Sequence, residues 1–253
     1  MQARRLPARH GFLWLIASFR LFQANPPVLT ALTMGYFFVI FAIGMLPYLG
    51  RYLVPLVLPA LVVIVANGCR AIERGGGLGG ITMTQSLERQ RIPLVQLGGL
   101  HLLGSIVIEI LSSLMGGGGI PLFGPGQKID HEEVLATLAR QTIIALPIST
   151  ALWFAPLLTA WDEVPPLKSV FFSFVAAWRN WRAFAIFGLS LTIVAVALPG
   201  LILVLAGAIS AVVANILTIA LMLAITFVIA PVTMASMYVS YRDVFHSADS
   251  EGE

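Results

Sequence analysis

Residues Leu152–Phe184 read LWFAPLLTAWDEVPPLKSVFFSFVAAWRNWRAF. An apolar helix carrying Pro156 runs to Trp161 and stops at a charged turn, Asp162–Glu163. An amphipathic segment, Lys168–Arg182, follows, and a new apolar run begins straight after it. That order is membrane exit, a helix lying on the surface, and re-entry. It predicts an all-α, polytopic membrane protein. On a wheel turning about 100° per residue, Phe171, Phe174, Val175, Trp178 and Trp181 share one side, and Ser169, Ser173 and Asn180 lie opposite. Lys168, Arg179 and Arg182 sit where anionic headgroups would meet them, each nearby cation contributing about 1 kcal/mol. A purely structural elbow, steering the chain back into the bilayer, explains the same letters.

The bulk composition agrees. The chain has 253 residues, 58% hydrophobic and 11% charged. Soluble domains carry about 25% charge, so this chain cannot cover itself with a water-facing surface. The net charge of +3 is small and its basic residues are scattered, without the cationic, aromatic-interleaved patch that nucleic acid demands. The lone Cys69 excludes an intrachain disulfide and any multi-cysteine metal site.

Toward the N-terminus from the central stretch, the fourth span is expected at about 142–161, with Pro147 and Pro156 inside it. Asp130 and Glu133 have capping-box spacing for a helix that carries Arg140 and leads into that span. The loop 116–131 is rich in Gly and Pro, and the third span, about 93–114, precedes it. Ile81–Arg91 reads as a second surface helix with a thin apolar face at Met83 and Leu87, behind a flexible hinge, Gly75–Gly80. The second span, about 52–71, carries Pro55 and Pro59; Gly50–Arg51 is the expected turn, and the first span covers about 29–49. Phe12, Leu15, Ile16, Phe19 and Phe22 recur at helical spacing in a segment too short to cross a bilayer, which suits an interfacial helix bearing Trp14 and Arg20. This N-terminal stretch lacks a small-residue cleavage site and is expected to stay uncleaved.

Toward the C-terminus, the fifth span is expected at about 183–205 and the sixth at about 209–238, with a polar, disordered tail from 246 to 253. Residues 1–245 thus form a single membrane domain of six spans in three hairpins. Twelve of the 15 Lys/Arg fall on the face that holds both termini and three on the other, which predicts cytoplasmic termini. Trp14, Trp161, Trp178, Trp181, Tyr238 and Tyr241 then form an aromatic belt at the inner boundary. A weak repeat is visible: Pro59, Pro156 and Pro231 each sit in the second span of a hairpin, and Arg70 and Arg242 both follow their proline by 11 residues. Recurrence of proline and aromatics in any membrane protein is the alternative.

The segment FAPLLTAWDEVPPLKSVFFSFVAAWRNWRAF, with SMYVSYRDVF near the end, resembles an uncharacterised family of six-span inner-membrane proteins of Gram-negative bacteria, over about 6–245. More loosely, the architecture is similar to the surface-helix-plus-hairpin membrane domains attached to some glycerophosphodiester phosphodiesterases. The first resemblance implies a bacterial inner membrane and the six-span fold; neither supplies active residues.

Glu109 is the carboxylate deepest in a span, roughly 22 Å from the inner end at 1.5 Å per residue. Intramembrane ionisable groups are functional candidates. His101 and Ser105 precede it at intervals of four, so the three lie along one stripe suited to a proton or cation relay. The alternative has Glu109 bonded to backbone or Arg140 and His101 as a packing residue. Asp130, His131, Glu132 and Glu133 read as metal ligands or, equally, as an acidic helix start. Gly75–Gly80 and Gly116–Gly119 lack the Gly-Lys-Ser/Thr of a phosphate loop. Gly200, Gly207, Ala197 and Ala211 suit close helix packing, within the monomer or in a dimer. The six span prolines give simple kinks or enclose a cavity among freed carbonyls.

With no catalytic set, metal site or cofactor motif, the expectation is a non-enzymatic, lipid-contacting scaffold or accessory membrane subunit. Its partners would be anionic lipid headgroups and a protein partner or second copy. A small transporter component using Glu109 and His101 is the alternative, and an intramembrane enzyme the third.

Overall fold

The computed structural model describes residues 3–75, 80–115 and 131–246. The hinge at 76–79, the loop 116–130 with Asp130 and Gly116–Gly119, and the tail beyond His246 lie outside the described residues, as do the side chains of His131, Glu132 and Glu133. Every element among the described residues is helical. They are α1 (His10–Ala24), α2 (Pro26–Gly44), α3 (Gly50–Glu73), α4 (Gly80–Arg89), α5 (Arg91–Leu114), α6 (His131–Leu152), α7 (Ala155–Trp161), α8 (Pro166–Arg179), α9 (Trp181–Thr192), α10 (Leu198–Ile209), α11 (Ala211–Ala224) and α12 (Ala230–Phe245). Five-residue π-helical turns, Ile193–Ala197 and Ile225–Ile229, join α9 to α10 and α11 to α12. Six of the resulting helical runs are long and apolar enough to cross a membrane.

The chain makes three units, each a short helix followed by a hairpin: α1 with α2–α3, α4 with α5–α6/α7, and α8 with α9/α10–α11/α12. The short helices do not rest mainly on their own hairpins. Helix α1 packs on α9 and α12, α4 on α3, and α8 on α6 and α7. Each unit therefore lays its short helix on the hairpin before it, with the first unit closing onto the third.

Glycine permits two of the closest approaches. A Cβ on Gly11 would overlap the Ala183 carbonyl, and one on Gly98 the Leu56 carbonyl, so α1 meets α9, and α5 meets α3, backbone to backbone. At the end of α3, Gly75 takes φ 63°, the left-handed conformation that closes a helix.

Pro55, Pro59 and Pro147 lie inside continuous helices, whereas Pro156 sits at a break and Pro199 and Pro231 beside widened turns. Pro156 does not kink a continuous fourth span: the helix stops at Leu152 and α7 restarts with Pro156 in its first turn. Ser173 of α8 fills the gap, since its hydroxyl accepts from Phe154 N at 2.9 Å and reaches the Thr150 carbonyl at 3.4 Å. Those two groups would have bonded each other in an unbroken helix. Pro199 and Pro231 each come two residues after the end of a π-helical turn. A proline ring pushes off the carbonyl four residues back, here Ala195 and Phe227, and both lie inside the widened turns. Phe227's carbonyl accepts the Thr30 hydroxyl at 3.2 Å.

Several sequence boundaries move. The first turn is not Gly50–Arg51 but Met45–Leu49, with Tyr48 at φ 61°. Gly50 opens α3 because a side chain there would meet the backbone of Ile43 and Gly44. The central surface helix ends at Arg179, and Asn180 (φ −109°, ψ 18°) is the joint, so Trp181 and Arg182 begin the fifth span. Tyr241–Asp243 stay helical within α12. Ile81–Arg91 is indeed largely helical, as α4.

The third hairpin differs from the rest. Its helical runs are 29 and 35 residues long against 19 for α2. At 1.5 Å per residue, 29 residues reach about 43 Å and 19 about 28 Å. Its outer half is lined by exposed Leu, Ile and Val; Ala206 is the buried residue of α10, and α11 has none. Nothing lies within 4 Å of a Cβ placed on Gly200 or Gly207. Those glycines do not serve close packing inside the monomer.

Candidate functional site

The sequence-derived wheel for α8 holds in the structure, with its polar side inward. Ser169, Ser173 and Asn180 are buried, while Phe171, Phe174, Trp178 and Trp181 are exposed. The reason is hydrogen bonding. Ser169 meets the Thr159 hydroxyl at 2.8 Å, Ser173 bridges the α6/α7 gap, and Asn180 Oδ1 accepts from Leu6 N at 2.8 Å while its Nδ2 donates to the Arg4 carbonyl at 2.9 Å. The small polar residues are thus stitches to the protein and leave a ring-rich face outward, with Phe174 stacked on Trp178. Lys168, Arg179 and Arg182 are all exposed. Among the described residues no carboxylate pairs with any of them, and Arg182 lies over the Trp181 ring, 5.5 Å from its centroid. Helix α1 follows the same plan: Gly11, Trp14 and Ser18 face the protein, and Phe12, Leu13, Phe19 and Arg20 face out.

The expected aromatic belt divides. Trp178 and Trp181 point outward, whereas Trp14, Tyr238 and Tyr241 are buried and Trp161 is half-buried. Trp14 donates its indole N–H to Asp243 at 2.8 Å, sharing that carboxylate with His10 at 2.7 Å, and meets Phe184 and Phe187 edge-on. Trp161 donates to Asn67 at 2.9 Å, under the Arg70 guanidinium. Tyr238 and Arg242 both reach Glu73, and the Tyr241 hydroxyl donates to Asp162. Burial raises the Asp162 carboxyl above its ordinary range, and the Tyr241 hydroxyl opposes that rise. The last turns of α12 thus bind α1, α3 and α7 together. Composition and spacing alone do not point to this hub; its signal in the sequence is the dense polar-aromatic run SMYVSYRDVF at the end of an apolar span.

The stripe from His101 to Glu109 does not stay together in space. His101 and Ser105 line a partly open cavity of about 270 Å³ between the first two hairpins, walled also by Tyr36, Ser149, Trp153 and Met237. Ser105 donates to the His101 carbonyl at 3.0 Å, within its own helix. The His101 Nε2 atom is buried and has no hydrogen-bond partner. Glu109 does not line this cavity. It is exposed and lies 3.6 Å from Arg51 at the opening of α3, while Arg140 bonds the Met115 carbonyl at 3.0 Å instead. Among the described residues, no three His, Cys, Asp or Glu side chains converge as a metal site.

The chain is similar to a probable inner membrane protein of Burkholderia thailandensis, at 29% identity over 260 residues, covering 97% of this chain and 94% of that one. No family profile matches the chain, and no solved structure does. Six apolar spans together with that relative describe an integral inner-membrane protein.

Proposed function

We propose that this protein is a non-enzymatic membrane scaffold or accessory subunit that gathers anionic lipid, with both termini and α8 at the cytoplasmic surface. The observation that carries the reading is the outward face of α8: exposed rings flanked by Lys168, Arg179 and Arg182, none paired with a carboxylate among the described residues. Rings of this kind rest at the headgroup boundary, and the cations beside them attract phosphate. Arg4, Arg5, Arg9 and Arg20 are exposed on the same face as the two chain ends, which meet where Arg4 N bonds the Val244 carbonyl at 2.9 Å.

Nanodiscs of mixed phosphatidylglycerol and phosphatidylcholine, with retained lipid counted by native mass spectrometry, test the proposal. At about 1 kcal/mol per cation, changing Lys168, Arg179 and Arg182 together to Gln removes a preference on the order of 100-fold. Equal retention of phosphatidylglycerol by the wild type and the triple variant refutes it. For orientation, cysteines at Trp178 and Tyr48 are labelled from opposite sides of inverted vesicles, against the silent background of buried Cys69. Labelling of Trp178→Cys from the periplasm overturns the topology.

A small transporter component is the second reading, and the cavity at His101 and Ser105 favours it. On that reading Glu109→Gln leaves a transport phenotype unchanged and His101→Ala abolishes it.

A further inference from the structure

We infer that the cavity between the first two hairpins is a binding site for an uncharged, membrane-dissolved molecule: an apolar body carrying a small head of carbonyl or hydroxyl oxygen, met by the polar side chains of the lining, His101, Tyr36 and Ser149. This goes beyond the lipid-scaffold reading and does not depend on it.

The space is about 270 Å³, room for many waters. Its walls do not suit that much water. A buried water needs two to four polar partners, and most of the lining is Leu, Ile, Val, Met, Pro and aromatic side chains. The Ser105 hydroxyl is engaged by the His101 carbonyl, and the Trp153 indole N–H by Ser240 at 3.2 Å. What remains are the hydroxyls of Tyr36 and Ser149 and the ring of His101, whose Nε2 is buried and unpartnered among the described residues. A lone buried polar atom costs free energy until something bonds it. Among the described residues no carboxylate or cation lines the cavity, which disfavours a charged ligand. An apolar molecule with a small oxygen-bearing head answers both features: its body fills the space and its oxygen meets the imidazole and the hydroxyls beside it. A carbonyl, as on a prenylated quinone, takes the N–H of one tautomer. An alcohol, as on a prenol, donates to the bare nitrogen of the other.

The test uses the full chain in nanodiscs. Decyl-ubiquinone, farnesol and hexadecane are titrated, and bound ligand is counted by native mass spectrometry. Binding of decyl-ubiquinone or farnesol at least tenfold tighter than hexadecane, weakened at least tenfold by His101→Leu, supports the site; which of the two binds identifies the oxygen. Equal binding of all three, or unchanged binding in His101→Leu, overturns it. Should His101→Leu fail to fold, Ser149→Phe takes its place. Ser149 is exposed where it lines the cavity, so a ring there obstructs the space without entering the packed core. Undiminished binding in Ser149→Phe overturns the proposal equally, and the phosphatidylglycerol retention of either variant stays at the wild-type level.

Discussion

Asn180→Ala is expected to cost about 2 kcal/mol and to release the N-terminal strap. Asn180 is 1% exposed and sits at the joint between α8 and α9. Its side chain makes three bonds, of unequal consequence. The one to the Ala176 carbonyl is expendable, because Asn180's own N–H already bonds that carbonyl at 3.2 Å. Arg4 is exposed, so water can replace the bond to its carbonyl. The Leu6 N–H is the group left stranded, since Leu6 is 9% exposed. An orphaned buried donor costs about 1–3 kcal/mol. That exceeds the average of about 0.6 kcal/mol for a hydrogen bond between transmembrane helices, because here a backbone group loses its partner. Unfolding of the detergent-solubilised protein by SDS, followed by far-UV circular dichroism, measures the loss, and trypsin cleavage at Arg4 and Arg5 reports release of the strap. A change below about 0.5 kcal/mol with unaltered cleavage refutes the assignment. Asn180→Asp sharpens the test. The acid keeps an acceptor for Leu6 but faces the Arg4 and Ala176 carbonyls, each 2.9 Å from Nδ2 in the wild type. Its carboxyl is then held protonated in the folded state, with a pKa above the unfolded value of about 3.9. Folded protein binds the extra proton, so the variant loses stability as pH rises through that window.

Adjacent glycines should respond oppositely. Gly98→Ala drives a methyl into the Leu56 carbonyl and costs about 1–3 kcal/mol, whereas Gly99→Ala, with nothing within 4 Å, gains up to about 1 kcal/mol of helix propensity in the same SDS titration. Tyr241→Phe removes the hydroxyl that opposes the rise at Asp162, so the Asp162 carboxyl titrates at higher pH than in the wild type. Carboxyl carbon shifts in ¹³C-labelled protein follow it, and an unmoved titration refutes the role given to that bond.

The six spans were legible because apolar runs of about 20 residues mark a bilayer crossing whatever surrounds them. Charged turns and basic flanks located the ends of most of them. The break at Trp153–Phe154 was less legible than the Pro156 that causes it. Whether a proline kinks or interrupts a helix depends on a partner for the freed backbone, and Ser173 lies 19 residues away. Glu109 and His101 share a helix stripe, yet their neighbours separate them: Arg51 draws one outward and the cavity holds the other. Spacing along α5 carried no information about α3 or α6.

Sequence by itself determined the membrane class, the number of spans and the two-sided character of α1 and α8. Only the tertiary structure decided which side of those helices turns inward. In water an apolar face must be buried, so periodicity reports in and out together. Lipid is as apolar as a protein core, and there the sign is lost. Hydrogen bonds to Ser169, Ser173 and Asn180 settle it for α8, and the close approach at Gly11 with the Trp14–Asp243 bond settles it for α1. The docking of each short helix on the hairpin before it likewise rests on contacts between residues far apart in the chain, such as Leu6 with Asn180 and His10 with Asp243.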